Sequence, residues 1–314
     1  ADKNYHLRKH LISKQDQALF VKLLYDHLHN LVQLCSAPYD TKVLPTIRKI
    51  QMKRILFLLP LGFFSHTAYA TEASTEIASP YSANLTLASQ YVSRGFQQTW
   101  GKPAIQGGLD YNHDNGFYAG TWASTVSDHF IRDASVEWDV YTGYSHSFGD
   151  LTLGTKVAYY YYPGAKTTAE TGNTRFDYGE IIPEISYGPL SVKYSITYTQ
   201  DYFGNNSDTL GIGTNKHSRG SGYLDVSWHQ PLGQGWSADA HYGHQRIKNF
   251  SDANFQDISF AVNKELPYNL LGSLSYSKAW DKDDYYKQYS NGNPNAKVSN
   301  PIDSTVAVSL TKSF

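Results

Sequence analysis

The segment Tyr144, Ser145, His146, Ser147 sets two hydroxyls beside an imidazole, the residue types of a serine nucleophile and its general base. A lipid hydrolase built into a barrel wall would use such a pair, provided that nucleophile and base come within hydrogen-bond reach. On a strand this requires same-face neighbours two apart or a cross-strand pair. Ser145 and Ser147 fall on one face and His146 on the other, so the segment does not predict an assembled pair. His241 and His244, three apart, also fall on opposite faces of a strand and cannot chelate one metal together. The run Leu210 to Lys216, with Gly211 and Gly213, has the composition of a phosphate-binding loop, but polar loop residues and a strand follow where a helix should open. No catalytic, cofactor-binding or metal-ligating residue is expected.

The other candidates are charges on the polar faces of alternating segments. The acids are Asp110, Glu137, Asp139, Glu180, Glu184, Asp201, Asp225 and Asp239; the bases are Lys156 and Lys193, with Arg94 near a strand end. If these side chains line a water-filled lumen, the excess of acid favours small cations over anions. The alternative is that they satisfy one another across strands in a small, plugged barrel. A one-residue bulge reverses the face of every later residue in a strand, so Glu137 and Asp139, in an unbroken alternation, are the safest members.

The elements that would position them have a period of two. Val136, Trp138, Val140, Thr142, Tyr144, His146 and Phe148 alternate with Glu137, Asp139, Tyr141, Gly143, Ser145 and Ser147. The same pattern runs through Leu151, Leu153, Thr155, Val157, Tyr159 and Tyr161, and through Leu190, Val192, Tyr194, Ile196 and Tyr198. It predicts twelve strands, near 82 to 94, 103 to 112, 116 to 126, 134 to 148, 151 to 162, 174 to 187, 190 to 202, 221 to 230, 236 to 247, 255 to 265, 270 to 280 and 303 to 314. Every second connection is tight, as at Gly149 and Asp150 or Gly188 and Pro189, and the others are longer and polar.

Short turns on one side and long loops on the other predict an all-β fold, a closed antiparallel transmembrane β-barrel. Closure follows because backbone polar groups in a bilayer must all be paired. Two aromatic girdles are expected: Tyr159, Tyr161 and Trp280 by the long loops, and Phe117, Phe148, Tyr187 and Trp236 by the short turns. A soluble barrel or sandwich is the competing reading of the same alternation.

Composition agrees. Of 314 residues, 26 are tyrosine and 24 glycine, against one cysteine and one methionine. One cysteine excludes an internal disulfide framework, and a net charge of −1 gives no basic footprint for nucleic acid. The methionine, Met52, opens a segment with Lys53 and Arg54, an apolar run from Ile55 to Phe64 and Ala68, Tyr69, Ala70: the n-region, core and cleavage site of a secretory signal peptide. Residues 52 to 70 are therefore expected to be removed, residues 1 to 51 to be absent from the mature protein, and residues 71 to 314 to form the barrel.

The run from Asn84 to Gly95 resembles the start of the TorF-type outer-membrane porin family of Proteobacteria, also described as a conserved family of unknown function. The resemblance continues through Pro103 to Gly108, Gly116 to Ser124, Glu137 to Tyr141 and Gly143, Tyr144. It implies a pore in the outer membrane of a Gram-negative bacterium, surrounded by outer-membrane lipids and passing small hydrophilic solutes or ions, without specifying the solute. Val306, Val308, Leu310 and Phe314 resemble the C-terminal signal read by barrel-assembly machinery, Lys312 being a departure.

Overall fold

A computed structural model describes residues 79–169, 172–209, 214–287 and 300–314. The expected signal peptide and the upstream segment lie outside the described residues, as do Leu210 to Gly213 of the glycine-rich run.

The strands in chain order are β1 (Tyr81–Ala88), β2 (Val92–Ser93), β3 (Phe96–Gln97), β4 (Ala104–Asn112), β5 (Phe117–Thr125), β6 (Val136–Phe148), β7 (Leu151–Tyr161), β8 (Lys166–Ala169), β9 (Gly172–Arg175), β10 (Tyr178–Tyr187), β11 (Leu190–Thr197), β12 (Gly222–Gly233), β13 (Trp236–Arg246), β14 (Phe255–Leu266), β15 (Leu270–Asp281) and β16 (Thr305–Ser313). Twelve of them close into one barrel, in the order β1, β16, β15, β14, β13, β12, β11, β10, β7, β6, β5, β4. All pairings are antiparallel, and β1 closes the ring against β16 with Leu85 opposite Lys312 and Leu87 opposite Leu310. The remaining strands form two small hairpins, β2 with β3 and β8 with β9, inside the long connections.

The walls follow from the alternation. Along β6 every second residue from Val136 to Tyr144 is exposed outward, while Glu137, Asp139 and Tyr141 are buried inward. Leu87, Ile105, Val157, Ile185, Phe260 and Val308 extend the exposed apolar surface around the ring. Contiguous outward apolar area on this scale is the reverse of a soluble sandwich, whose greasy faces meet each other across a core.

Several ends of strands differ from the sequence expectation. The first strand stops at Ala88 rather than 94, because Gln90 turns its amide to the Val306 carbonyl (3.1 Å) and the Tyr91 amide donates to Thr99 Oγ1 (2.9 Å), which takes the chain off the ladder. β11 stops at Thr197 rather than 202, because the Asp201 carboxylate accepts from the Ser218 amide (3.2 Å) and Asn206 Nδ2 (2.9 Å) and organises the following connection around itself. β12 runs on to Gly233 through a register shift between Pro231 and Gly233, a bulge where proline costs no ladder bond.

Candidate functional site: the barrel lumen

The inner face changes character along its length. Within β6, Glu137, Asp139 and Tyr141 are buried, Gly143 and Ser145 are half-buried, and Ser147, next to the tight turn, is exposed. Near the short turns the lumen is lined by small hydroxyls such as Thr86, bonded to Thr311 (2.8 Å), and Ser147, bonded to Thr152 (2.9 Å). Towards the long connections it holds large aromatic and charged side chains, packed to exclusion of solvent.

The filling comes from the connection between β1 and β4. Its hairpin β2–β3 turns at Arg94 and Gly95, both at positive φ (47° and 78°), the backbone signature of a two-residue type I′ turn. The tip presses on the barrel wall: a Cβ on Gly95 would stand 2.5 Å from the Ala279 Cβ and 2.9 Å from the Asp257 Cβ, so only glycine fits. Phe96 then packs on Phe130, Phe255 and Tyr286 at 5.9, 4.8 and 4.9 Å between ring centroids. Phe203, from the connection after β11, meets Phe130 and Phe176 in the same aromatic cluster. Backbone bonds lace these segments together, Gln97 to Pro301 and Ser127 to Gln98, each 2.9 Å.

Arg94 reaches from the hairpin tip across to the opposite wall. Its Nη2 donates to Glu180 Oε2 at 2.7 Å and its Nη1 to Glu180 Oε1 at 3.1 Å, a bidentate pair. Nη1 also lies 3.0 Å from Gln245 Oε1 and 3.3 Å from the Tyr202 hydroxyl, and the guanidinium carbon stands 4.2 Å over the Tyr223 ring. Tyr160 donates to Glu180 Oε2 at 3.1 Å.

The other candidate residues fall into four groups. Asp110 accepts from the Tyr141 hydroxyl, and Glu137, Asp139 and Lys156 are buried on the same inner wall. Glu184 and Lys193 face each other across β10 and β11 at 3.9 Å, with Asp225 the next partner of Lys193 in register. Asp239 pairs with His229 Nδ1 at 2.5 Å and accepts from Asn263 Nδ2 at 2.6 Å. Asp201, expected on the inner face of a strand, lies instead in the connection after β11, where it also meets His217 Nδ1 at 2.9 Å.

Asp257 escaped the sequence reading, as did the cluster around it. His241 Nε2 lies 3.0 Å from Asp257 Oδ1 and its Nδ1 lies 3.6 Å from Asp225 Oδ1, so two carboxylates bracket one imidazole. Tyr223 donates to Asp257 Oδ2 at 3.0 Å, and its ring lies where Gly243 has no side chain. Ser227 stands 3.2 Å from His241 Nδ1 but directs its hydroxyl to Asp225 at 2.6 Å. The serine hydroxyl thus donates to a carboxylate and not to the imidazole, whose two nitrogens face Asp257 and Asp225, so the group forms a charge network without a serine directed at its base. The signal for Asp257 was present: Gln256, Ile258, Phe260 and Val262 share the outward face, which puts Asp257 on the inner one.

His146 points outward, its ring against Phe148 at 4.7 Å, while Ser145 is on the inner face. His241 and His244 lie on opposite faces of β13, one in the lumen cluster and the other outward. Phe117, Phe148, Tyr187 and Trp236 are exposed beside the short turns; Tyr159, Tyr161 and Trp280 are outward near the long connections. Val306, Val308 and Leu310 are exposed along β16, and Phe314 follows it, with Lys312 Nζ 5.5 Å from the ring.

A family model described as a bacterial protein of unknown function (Gcw_chp) matches residues 72–314. The chain belongs to the Gcw_chp family. Its match covers every barrel strand, so the lumen just described is built wholly from Gcw_chp sequence. None of the curated proteins matches. Among solved structures, the KdgM porin is similar at 8% identity over 74% of this chain and 99% of that one, with a TM-score of 0.44. A NanC porin structure is similar at 11% identity, covering 73% and 97%, with a TM-score of 0.43. OccK9 (OpdG) of Pseudomonas aeruginosa is similar at 16% identity, covering 74% and 58%, with a TM-score of 0.34.

Proposed function

We propose that this Gcw_chp protein is a TorF-type, porin-like channel in the outer membrane of a Gram-negative bacterium, within the Proteobacteria, passing small hydrophilic solutes by passive diffusion with a mild preference for cations. The observation that carries the reading is the closed ring with an apolar outer wall and a charged, hydroxyl-lined inner one. Such a ring satisfies its backbone within lipid and turns its polar side chains inward, away from the lipid. Asp110, Glu137, Asp139, Glu184, Asp225, Asp239 and Asp257 outnumber Lys156 and Lys193 on that inner wall, which supports the cation preference. The segment 52 to 70 would direct export, and Val306, Val308, Leu310 and Phe314 would present the strand that barrel-assembly machinery takes up.

A second reading, a barrel that stabilises the membrane without conducting, is supported by the packed hairpin at Arg94 and Gly95. Liposome swelling separates the two: vesicles carrying the purified barrel should swell in small neutral sugars and fail to swell in large ones. Vesicles indistinguishable from protein-free controls in every sugar would favour the non-conducting barrel.

A further inference from the structure

An arginine at the first central position of a type I′ turn is an expensive choice. Both central residues need positive φ, which asparagine, aspartate and glycine reach at least cost and a residue with a long side chain reaches under strain. Arg94 nevertheless occupies that position at φ 47°. Its side chain is what the position supplies: a planar fork of donors that ends in a pocket fitted to it.

The pocket is built from four elements other than the hairpin. Glu180 of β10, 1% exposed, takes both arms of the fork; Gln245 of β13, fully buried, accepts on one edge; Tyr223 of β12 offers its ring face; Tyr202, from the connection after β11, closes the side. Carboxylate in plane, aromatic face above and neutral acceptors at the edge complement a guanidinium on every side. An ammonium would use the charge but could not fill the fork and stack together.

We propose that this pocket is a guanidinium-binding site which the chain fills with its own Arg94, latching the 89–103 connection across the lumen. A small solute bearing a guanidinium group would then be recognised at the same place whenever Arg94 is withdrawn. The inference deepens the channel reading and rests on it for its transport meaning, while the binding itself does not depend on conduction.

The test uses the full barrel in detergent with Arg94→Ala and ethylguanidinium as the probe. Calorimetric titration should show saturable one-to-one binding to R94A, none to the wild type, whose site is filled, and none to R94A combined with E180Q. In planar bilayers R94A should conduct more than the wild type and return to the wild-type level when saturated with the probe. Should R94A not fold by itself, ethylguanidinium in the refolding buffer should restore the heat-modifiable gel band, and tetramethylammonium should not. A folded R94A without saturable binding, binding that survives E180Q, or misfolding that the probe leaves uncorrected would overturn the proposal. Binding without any conductance in either protein would instead sink the channel reading and leave the site standing.

Discussion

Arg94 and Glu180 are 86 residues apart in sequence and joined by two hydrogen bonds, of 2.7 and 3.1 Å, inside the barrel. One belongs to a connection and the other to the wall, so this pair fixes where the connection lies. A buried pair of this kind is costly to break from one side, because the remaining charge is left without a partner.

Glu180→Gln should therefore destabilise the barrel by about 3–5 kcal/mol. Arg94→Ala should cost a similar amount, and the double substitution less than the sum of the two. Urea unfolding of the barrel in lipid vesicles measures all three; strict additivity would mean that the two residues do not act as a pair.

Gly95→Ala should disturb the hairpin without removing a charged group. The added methyl has to displace the Ala279 or Asp257 side chain, and such overpacking costs about 1–3 kcal/mol. The left-handed backbone at φ 78° adds strain to that. The expected outcome in the same unfolding assay is a loss in that range; unchanged stability would show that the hairpin tip does not press on the wall.

Glu137→Gln with Asp139→Asn removes two acids from the inner face of β6 and leaves the outward residues in place. The reversal potential in a potassium chloride gradient should move towards chloride. A wild type that already prefers chloride, or no movement in the double variant, would refute the cation reading.

The barrel was legible in the sequence because its two faces meet different surroundings. Val136 to Phe148 puts an apolar face outside the ring and a polar face inside it, and only a period of two does both. The points where the wall hands over to its connections were less legible. Tyr91, Val92 and Ser93 keep the strand composition past Ala88, and nothing local shows that the Thr99 hydroxyl will capture the Tyr91 amide eight residues on. The inner-face positions of Glu137 and Asp139 follow from parity alone. The pocket around Arg94 does not, since Glu180, Gln245, Tyr223 and Tyr202 converge only once the ring has closed.

Residues 1 to 70 should be absent from the exported protein, 52 to 70 by signal-peptide cleavage. N-terminal sequencing of the protein from a native membrane fraction should begin at Thr71, and recovery of Ala1 to Gln51 in that fraction would contradict the reading of 52 to 70 as a signal peptide.

Single-channel recording of the purified wild-type barrel in a planar bilayer decides whether the closed ring conducts. Discrete, small, cation-preferring conductance steps are expected, in keeping with a lumen narrowed by the 89–103 connection. Bilayers that stay silent after verified insertion of a folded, heat-modifiable barrel would contradict conduction.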